Sequence, residues 1–449
     1  MIATTITPAR ILRAGSWTVL SYGFTQVTRL ATSLIVTRLL VPEVFGIMAV
    51  AMVVVAGLTL LTDLGIVPCV VRSPRGADAR FLDTVWVTQL LRGGAIWIVA
   101  LLLAAALAAF QAVGWITADS AYGNPVLPYV IAAVGFTAVL SGIESTNVAL
   151  ARRELSLARL SQLEIVCNIV SVAAVVSWAW IDPSIRALVG GWIIGAALRA
   201  ALTHTMLSGP ANRLRWEPAA FQELLAFGKW ILVSSTLGFF AMNGDRLLLG
   251  GMVSAHDLGL YSIAFLMLSA ARQGLSLLSA AVAYPALSHV VRTRPAQLAA
   301  AYYKARLPMD LCSLGLAGVL FVAGDGLIRL LYDSRYAGAG PMLAVLSLTL
   351  ICSRYEMTEQ VFLALGKPRL LALINAFRLA GLYALVPAGY AAGGMQGALW
   401  GMVLAAFVPV APTLFFAGRN GLLSLRHELW HLLAFPLGLA LGEAAQRLL

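Results

Sequence analysis

Five arginines stand within apolar stretches of the sequence, where an ionised side chain is costly to place. Arg29, Arg92, Arg272, Arg354 and Arg378 each lie several residues inside a hydrophobic run. Arg92 is about eight residues from the start of its run, which is roughly 12 Å of helix. A guanidinium group matches phosphate oxygens in bidentate fashion. We therefore predict that these five arginines line an anion-binding cavity.

Polar residues accompany the arginines at helical spacing. In the first apolar run they are Tyr22, Thr25, Arg29 and Thr32, and steps of three and four residues place such a set on one face of a helix. Four acids also lie inside apolar runs, namely Glu144, Glu164, Asp245 and Glu356. Intramembrane carboxylates either carry a coupling ion, here H⁺ or Na⁺, or pair with nearby cations. We favour pairing with the arginines.

One stretch near the C-terminal end matches a catalytic metal motif. Residues 427–431 read His-Glu-Leu-Trp-His, the H-E-x-x-H pattern in which two histidines bind zinc and the glutamate acts as general base. Glu443 is the only acid downstream, and no further pattern supports it as a third ligand. We expect a polar turn that begins a tail helix at the cytoplasmic surface, and we predict no metal and no cofactor. A membrane metalloprotease is the alternative from a different functional class.

The composition indicates that lipid surrounds most of this chain. Of 449 residues, 60% are hydrophobic and only 11% are charged, whereas soluble proteins have roughly 45–50% apolar and about 25% charged residues. Backbone groups in lipid need partners within the chain, which favours helices. We predict an all-α polytopic membrane protein. The formal net charge of +11 is assigned to cytoplasmic loops and anion-receiving cavities rather than to nucleic-acid binding.

About twelve stretches are long enough to cross a bilayer core as helices. They are residues 15–38, 44–66, 84–110, 127–149, 160–181, 186–207, 224–249, 257–285, 305–323, 341–365, 370–391 and 395–417. Arginines and lysines then concentrate on one side, whereas the opposite loops at 111–126, 250–256 and 391–395 carry none. The exceptions on that opposite side are Arg186, Arg329 and Arg335. This positive-inside pattern predicts a cytoplasmic N-terminus and a cytoplasmic C-terminus.

The two halves of the chain resemble each other. A shift of 213 residues places Gly46 on Gly259, and a shift of 212 residues places Glu144 on Glu356. We predict two pseudo-symmetric six-helix lobes around a central cavity, related by an axis along the membrane normal. The predicted parts are an N-terminal lobe at 1–208, a cytoplasmic loop at 209–223, a C-terminal lobe at 224–418, and a cytoplasmic or interfacial tail helix at 419–449.

Four short stretches resemble a known family. Residues 38–46 (RLLVPEVFG) and 62–66 (TDLGI) are similar to the opening signature of polysaccharide transporters, and residues 245–250 (DRLLLG) and 258–264 (LGLYSIA) form their counterpart in the second half. These transporters are the lipid-linked oligosaccharide flippases of the multidrug/oligosaccharidyl-lipid/polysaccharide flippase superfamily. The similarity extends over roughly residues 10–420.

The resemblance implies a V-shaped, two-lobed helical transporter rather than an enzyme. It implies export of polyprenyl-diphosphate-linked repeat units across the bacterial inner membrane, by ion-coupled alternating access, for exopolysaccharide, capsule or O-antigen synthesis. The implied partners are this lipid-linked substrate, the bilayer and a polysaccharide polymerase. Many members have fourteen spans, whereas twelve spans and a tail helix are predicted here.

Other functions also fit a two-lobed membrane protein. A multidrug exporter of the same superfamily commonly takes cations, for which an acidic cavity is expected instead of arginines. A twelve-span carrier of a small organic anion would share the internal repeat. A scaffold protein without transport activity would not explain the polar stripes on the predicted helices.

Overall fold

The computed structural model describes residues 8–294 and 297–448, and this part of the chain is helical without strands. Residues 1–7, at the start of the predicted N-terminal lobe, and residue 449, at the end of the predicted tail, lie outside the described residues. The all-α fold predicted from composition is confirmed. The chain divides into two compact units, Met1–Phe240 and Ala241–Leu449.

The first unit begins with long helices that are interrupted at two places. Its helices are α1 (Pro8–Leu39), α2 (Pro42–Leu61), α3 (Ile66–Arg72), α4 (Ala79–Val113), α5 (Leu127–Ile143), α6 (Asn147–Arg153), α7 (Leu157–Ile181), α8 (Ile185–Thr205) and the first part of α9 (Pro218–Met252). Gly65 ends the break between α2 and α3 with a φ of 59°, a left-handed conformation that glycine adopts without steric cost.

The second unit repeats this arrangement and adds a tail. After the end of α9, its helices are α10 (Ala255–Thr293), α11 (Leu298–Leu331), α12 (Ala339–Ser347), α13 (Leu350–Ser353), α14 (Glu356–Ala364), α15 (Pro368–Phe407), α16 (Val410–Arg419), α17 (Leu425–His431) and α18 (Ala434–Leu448). The long α15 is two helices in one, because Gly393 and Gly394 have non-helical backbone angles.

Within residues 8–294 and 297–448, eight helical stretches are long and apolar enough to cross a membrane, and nine if the pair α5 and α6, bent by 62°, forms one span. The stretch Pro368–Arg419 counts once among these eight, although it contains the last two predicted spans. Two further predicted spans are not among the eight stretches. The first predicted span corresponds to α1, which carries a polar stripe, and the tenth corresponds to the short helices α12–α14. Twelve spans are therefore consistent with the helices.

The sequence repeat reappears in the order of the helices. The first residues of α2 and α10 are 213 positions apart, those of α5 and α12 are 212 apart, and those of α7 and α15 are 211 apart. The fourth predicted span of each half is also broken in the same manner, into α5 and α6 in one unit and into α12, α13 and α14 in the other.

Glycines allow neighbouring helices to approach closely in both units. A Cβ atom on Gly93 of α4 would lie 2.4 Å from the carbonyl oxygen of Ala138 in α5. In α15, a Cβ on Gly389 would lie 2.2 Å from the carbonyl oxygen of Gly397. The two parts of α15 therefore fold back on each other as a hairpin, held by backbone contacts that a larger residue would prevent.

The boundary between the units falls within α9, whereas the sequence predicted a linker at 209–223. The first half of α9 packs on the break between α2 and α3, where a Cβ on Gly65 would lie 2.1 Å from Ile231. Phe239 also packs against Gly57 of α2. These contacts explain why residues up to Phe240 belong to the first unit.

The loop between α3 and α4 carries an ion cluster outside the apolar helices. Arg75 pairs with Asp78 at 3.1 Å and with Glu217, just before α9, at 2.8 Å. The hydrogen bond from Arg75 holds the pKa of Asp78 below its usual value. Arg153, at the end of α6, donates to the carbonyl of Val70 at 2.6 Å. Arg75 and Arg153 both lie in connections that the sequence predicts on the cytoplasmic side, and their bonds link these connections within the first unit.

Candidate functional site

A polar cavity of about 470 Å³ lies within the first unit. Residues of α2, α3, α4, α5, α6 and α8 line it. The two broken helices of this unit both meet the cavity at their breaks, through Asp63 and Gly65 on one side and Glu144 and Ser145 on the other. Irregular backbone at membrane depth is tolerated where it is buried in protein or lines a cavity.

Side chains satisfy the backbone at both breaks. At the first break, the Asp63 carboxylate accepts the amide of Gly65 at 2.9 Å and the hydroxyl of Ser235 at 3.2 Å. At the second break, the amide of Ser145 donates to the hydroxyl of Thr203 at 3.0 Å. The breaks are therefore defined local structures and not frayed helix ends.

Arg92, one of the five predicted arginines, lines this cavity from α4. Its guanidinium donates to the carbonyl of Thr59 at 2.5 Å and to the hydroxyl of Thr62 at 3.2 Å. Both acceptors are neutral, and in the described part of the chain Arg92 forms no ion pair. Thr59 of α2 and Thr62, which directly follows α2, fix the side chain, and the charge of Asp63 also acts on it across the cavity lining.

Two predicted acids share one cation in the first unit. Arg199 of α8 donates to Glu144 at 3.0 Å and lies 4.0 Å from Glu164 of α7. Arg199 was missed in the sequence, although it is an arginine inside the sixth predicted span. It could have been found by the same criterion that selected Arg92.

The charged residues that line the cavity are of mixed sign with a positive excess. Three arginines, Arg92, Arg152 and Arg199, face two acids, Asp63 and Glu144. Arg199 and Glu144 neutralise each other. Arg92, Arg152 and Asp63 remain and carry one net positive charge, which favours an anionic group in the cavity. The remaining predicted arginine of this unit, Arg29, is half-buried on α1.

In the second unit, two predicted arginines pair with acids. Arg272 of α10 donates to Glu356 at 2.9 Å. Arg378 of α15 donates to Glu359 at 2.7 Å and to Asn375 at 2.5 Å. Of the predicted acids, Glu356 is therefore a partner of Arg272, whereas Asp245 accepts the hydroxyl of Tyr261.

Arg354, the remaining predicted arginine of the second unit, is enclosed among ion-pair partners. Its side chain is buried, at 1% exposure. It donates to Asp310 at 3.1 Å and to Glu428 at 2.9 Å. The partners come from α11 and α17, far away in sequence, so their presence could not be seen from the residues around Arg354.

Arg354 belongs to a buried ionic network that the sequence did not indicate. Arg306 of α11 donates to Glu428 at 2.6 Å and to Asp310 at 3.1 Å. The Nδ1 atom of His431 lies 2.6 Å from the Asp310 carboxylate. Arg306 and Asp310 are four residues apart inside the ninth predicted span, and that spacing of opposite charges is the signal that could have found them.

The same network argues against the metalloprotease interpretation of residues 427–431. The carboxylate of Glu428 is occupied by two guanidinium groups and by the hydroxyl of Tyr303 at 3.0 Å. His431 faces Asp310, and His427 stacks on Tyr303. The stretch is also not the surface turn that we expected, because Glu428 and His431 are buried.

The fold matches those of solved membrane transporters. The match to the lipid II flippase MurJ in an inward closed conformation has a TM-score of 0.70 at 11% identity. It covers 95% of this chain and 98% of MurJ. A multidrug resistance MATE family transporter of the MOP superfamily, in an inward-facing conformation, matches with a TM-score of 0.65 at 14% identity over 88% of this chain and 94% of that chain. The molecule is thus a multi-pass membrane protein with a transporter fold.

The sequence comparisons give the family. A family model described as a polysaccharide biosynthesis protein matches residues 35–341, and the chain belongs to this family. The lipopolysaccharide biosynthesis protein WzxC of Escherichia coli (strain K12) is 21% identical over 439 residues, which cover 94% of this chain and 84% of WzxC. The resemblance to polysaccharide transporters of the flippase superfamily is confirmed.

Proposed function

We propose that this protein is a flippase that moves polyprenyl-diphosphate-linked oligosaccharide repeat units across the bacterial inner membrane by alternating access. The transported oligosaccharides serve exopolysaccharide, capsule or O-antigen synthesis, and a polysaccharide polymerase is the expected functional partner. Membership of a polysaccharide biosynthesis family supports this role. The names of WzxC, a lipopolysaccharide biosynthesis protein, and of MurJ, a lipid II flippase, support a lipid-linked substrate.

The observation that carries the proposal is the position of Arg92 in the cavity of the first unit. Two neutral oxygens hold its guanidinium, so a diphosphate would supply the anionic oxygens that complete its bonding. Charge-assisted bonds of this kind are about twice as strong as neutral ones. Arg152 lines the same cavity and adds a second cation. The volume of about 470 Å³ falls within the roughly 300–1,000 Å³ of small-molecule sites.

Ion coupling is the second part of the proposal. Glu144 and Glu164 both lie within 4.0 Å of Arg199, so one guanidinium faces two carboxylates. Intramembrane carboxylates of this kind can carry a coupling proton or Na⁺. Because this group borders the cavity that contains Arg92, its charge state would act on an anion bound there. We propose this link as the origin of coupling between ion and substrate.

A binding experiment tests the proposed substrate class. Purified protein is titrated with farnesyl diphosphate, with farnesyl monophosphate and with farnesol, and ligand-induced thermal stabilisation gives each affinity. We expect the diphosphate to bind most tightly. Arg92→Gln should weaken it about 10- to 100-fold, since hydrogen bonds to charged groups contribute roughly 1.5–3 kcal/mol. The matched control is Arg186→Gln. The Arg186 side chain is 80% exposed, and its distance of 3.9 Å from Asp182 makes a long surface ion pair.

Equal diphosphate affinity of the wild type and Arg92→Gln would overturn the assignment of this cavity. The competing function is a multidrug or small organic-anion exporter, which the similarity to a MATE fold favours. A lipophilic cation or a simple organic anion that binds more tightly than the diphosphate would support that exporter instead.

A further inference from the structure

The tail of the chain lies against α11 along most of its length. Glu428 bonds to Arg306, which is 122 residues earlier, and His431 bonds to Asp310, which is 121 residues earlier. Further along, a Cβ on Gly438 would lie 2.3 Å from the carbonyl oxygen of Gly315. Because the residue numbers rise together from one contact to the next, α17 and α18 run parallel to α11.

The contacts continue to the middle of a membrane-spanning helix. Leu298–Leu331 is one of the stretches that can cross a membrane, and no charged residue occurs between Asp310 and Asp325. A Cβ on Gly442 would lie 3.0 Å from Val322 in this uncharged stretch. The tail therefore follows α11 past its polar end, to the depth of the hydrocarbon chains.

The tail itself has the composition of a segment in lipid. Residues 429–442 contain no Asp, Glu, Lys or Arg, and Glu443 and Arg447 follow them. Only Leu432 and Leu433 separate α17 from α18, and an uninterrupted helix from Glu428 to Arg447 would rise about 28 Å at 1.5 Å per residue, which is close to the roughly 30 Å of a bilayer core. The tail is thus long enough to cross.

One face of the tail is apolar and uncovered. Leu429, Trp430, Leu433, Leu437 and Leu441 are between 51% and 69% exposed, whereas the glycines of α18 face α11. A continuous exposed apolar face of this kind marks a surface that contacts protein or membrane. At the depth set by α11, the occupant that fits this face is the hydrocarbon of the bilayer.

The buried ionic network fixes where the tail enters. Glu428 and His431 close a group that contains Arg306, Asp310 and Arg354, all of them buried. Charges at this depth require such partners. The network therefore holds the first turns of the tail against the N-terminal part of α11. The loop before α11 is one of the predicted cytoplasmic loops, so this end of α11 is expected on the cytoplasmic side.

We propose that residues 425–448 form an additional transmembrane segment that runs parallel to α11, with its exposed face against lipid. Arg447 then lies on the outer side of the membrane, in contrast to the cytoplasmic or interfacial tail expected from the sequence.

Cysteine labelling on intact cells tests this topology. The four native cysteines are replaced by serine, and single cysteines are introduced by Gln446→Cys, Arg426→Cys or Asp119→Cys, all at exposed positions. A membrane-impermeant maleimide should label Gln446→Cys as fully as Asp119→Cys, which lies in a predicted outside loop. Arg426→Cys should be labelled only after the membrane is permeabilised. Labelling of Gln446→Cys only after permeabilisation would overturn the proposal.

A second measurement does not depend on replacing the cysteines. The full chain is fused after Leu449 either to alkaline phosphatase, which is active outside the cytoplasm, or to green fluorescent protein, which is fluorescent inside it. We expect phosphatase activity and no fluorescence. Fluorescence without phosphatase activity contradicts the additional segment and leaves the proposed flippase function untouched.

Discussion

Arginines inside the apolar helices of this protein occupy three different environments. Arg92 is bonded to neutral oxygens at the edge of a cavity. Arg272 is paired with Glu356 and still half-exposed, whereas Arg354 is enclosed with Asp310 and Glu428. In the described part of the chain, the first environment contains no ion pair, which is why we propose that Arg92 binds the substrate. The second allows exchange of partners, and the third is structural.

This difference predicts separate effects for two substitutions in the second unit. Arg354→Gln removes one of two arginines from a buried network and leaves Arg306 as the only arginine beside the carboxylates of Asp310 and Glu428, which should cost about 3–5 kcal/mol of stability. Arg272→Gln is the matched control, since its side chain is 55% exposed and exposed pairs contribute about 0–1 kcal/mol. Thermal unfolding in detergent measures both. A stable Arg354→Gln protein that has lost diphosphate binding would restore Arg354 to the substrate cavity.

The types and positions of the arginines were visible in the sequence, but their environments were not. The expectation of one shared cavity rested on the scarcity of acids near the arginines in sequence. The structure supplies acids from distant segments, such as Glu428, which is 74 residues from Arg354. Pairing of this kind depends on how helices pack, and residue spacing along one helix carries no information about it.

At the scale of elements, the described helices are consistent with the twelve predicted spans, whereas the breaks within two of these spans escaped prediction. The second and fourth predicted spans were taken as continuous, whereas the structure interrupts them after Leu61 and Ile143. No proline lies at the second break, whereas Pro68 follows the first break in the first turn of α3. Asp63 stabilises the first break from within it, but the further side chains that contact the breaks, Ser235 and Thr203, belong to other helices. The polar cavity forms at these breaks, and its position was therefore also beyond the sequence.

The hairpin within α15 gives a prediction about helix packing. Gly389→Ala places a Cβ 2.2 Å from the backbone oxygen of Gly397, so the two arms must separate. Overpacking of this kind should cost about 1–3 kcal/mol. The matched control is Gly94→Ala in α4, where a Cβ meets no atom within 4 Å and helix propensity favours alanine by up to about 1 kcal/mol. Equal melting temperatures for the two variants would show that the arms are not in close contact.

At the scale of the whole molecule, the repeat was the most informative sequence feature. Shifts of 213, 212 and 211 residues relate the first residues of corresponding helices, so the order of elements in the second half follows from the first. The tail has no counterpart in the repeat. Its short apolar core and its proline led to the expectation of a surface helix, whereas it packs along α11 through Gly438 and Gly442.

Transport in proteoliposomes tests the central claim most directly. A polyprenyl-diphosphate-linked oligosaccharide with a fluorescent sugar is placed in both leaflets, and a membrane-impermeant quencher reports the accessible fraction over time. The account predicts that wild-type protein makes the whole pool accessible, that Arg186→Gln behaves like the wild type, and that Arg92→Gln is about 10- to 100-fold slower. If protein-containing vesicles exposed the lipid no faster than empty ones, while a multidrug-type cation crossed in the same preparation, the flippase account would be contradicted.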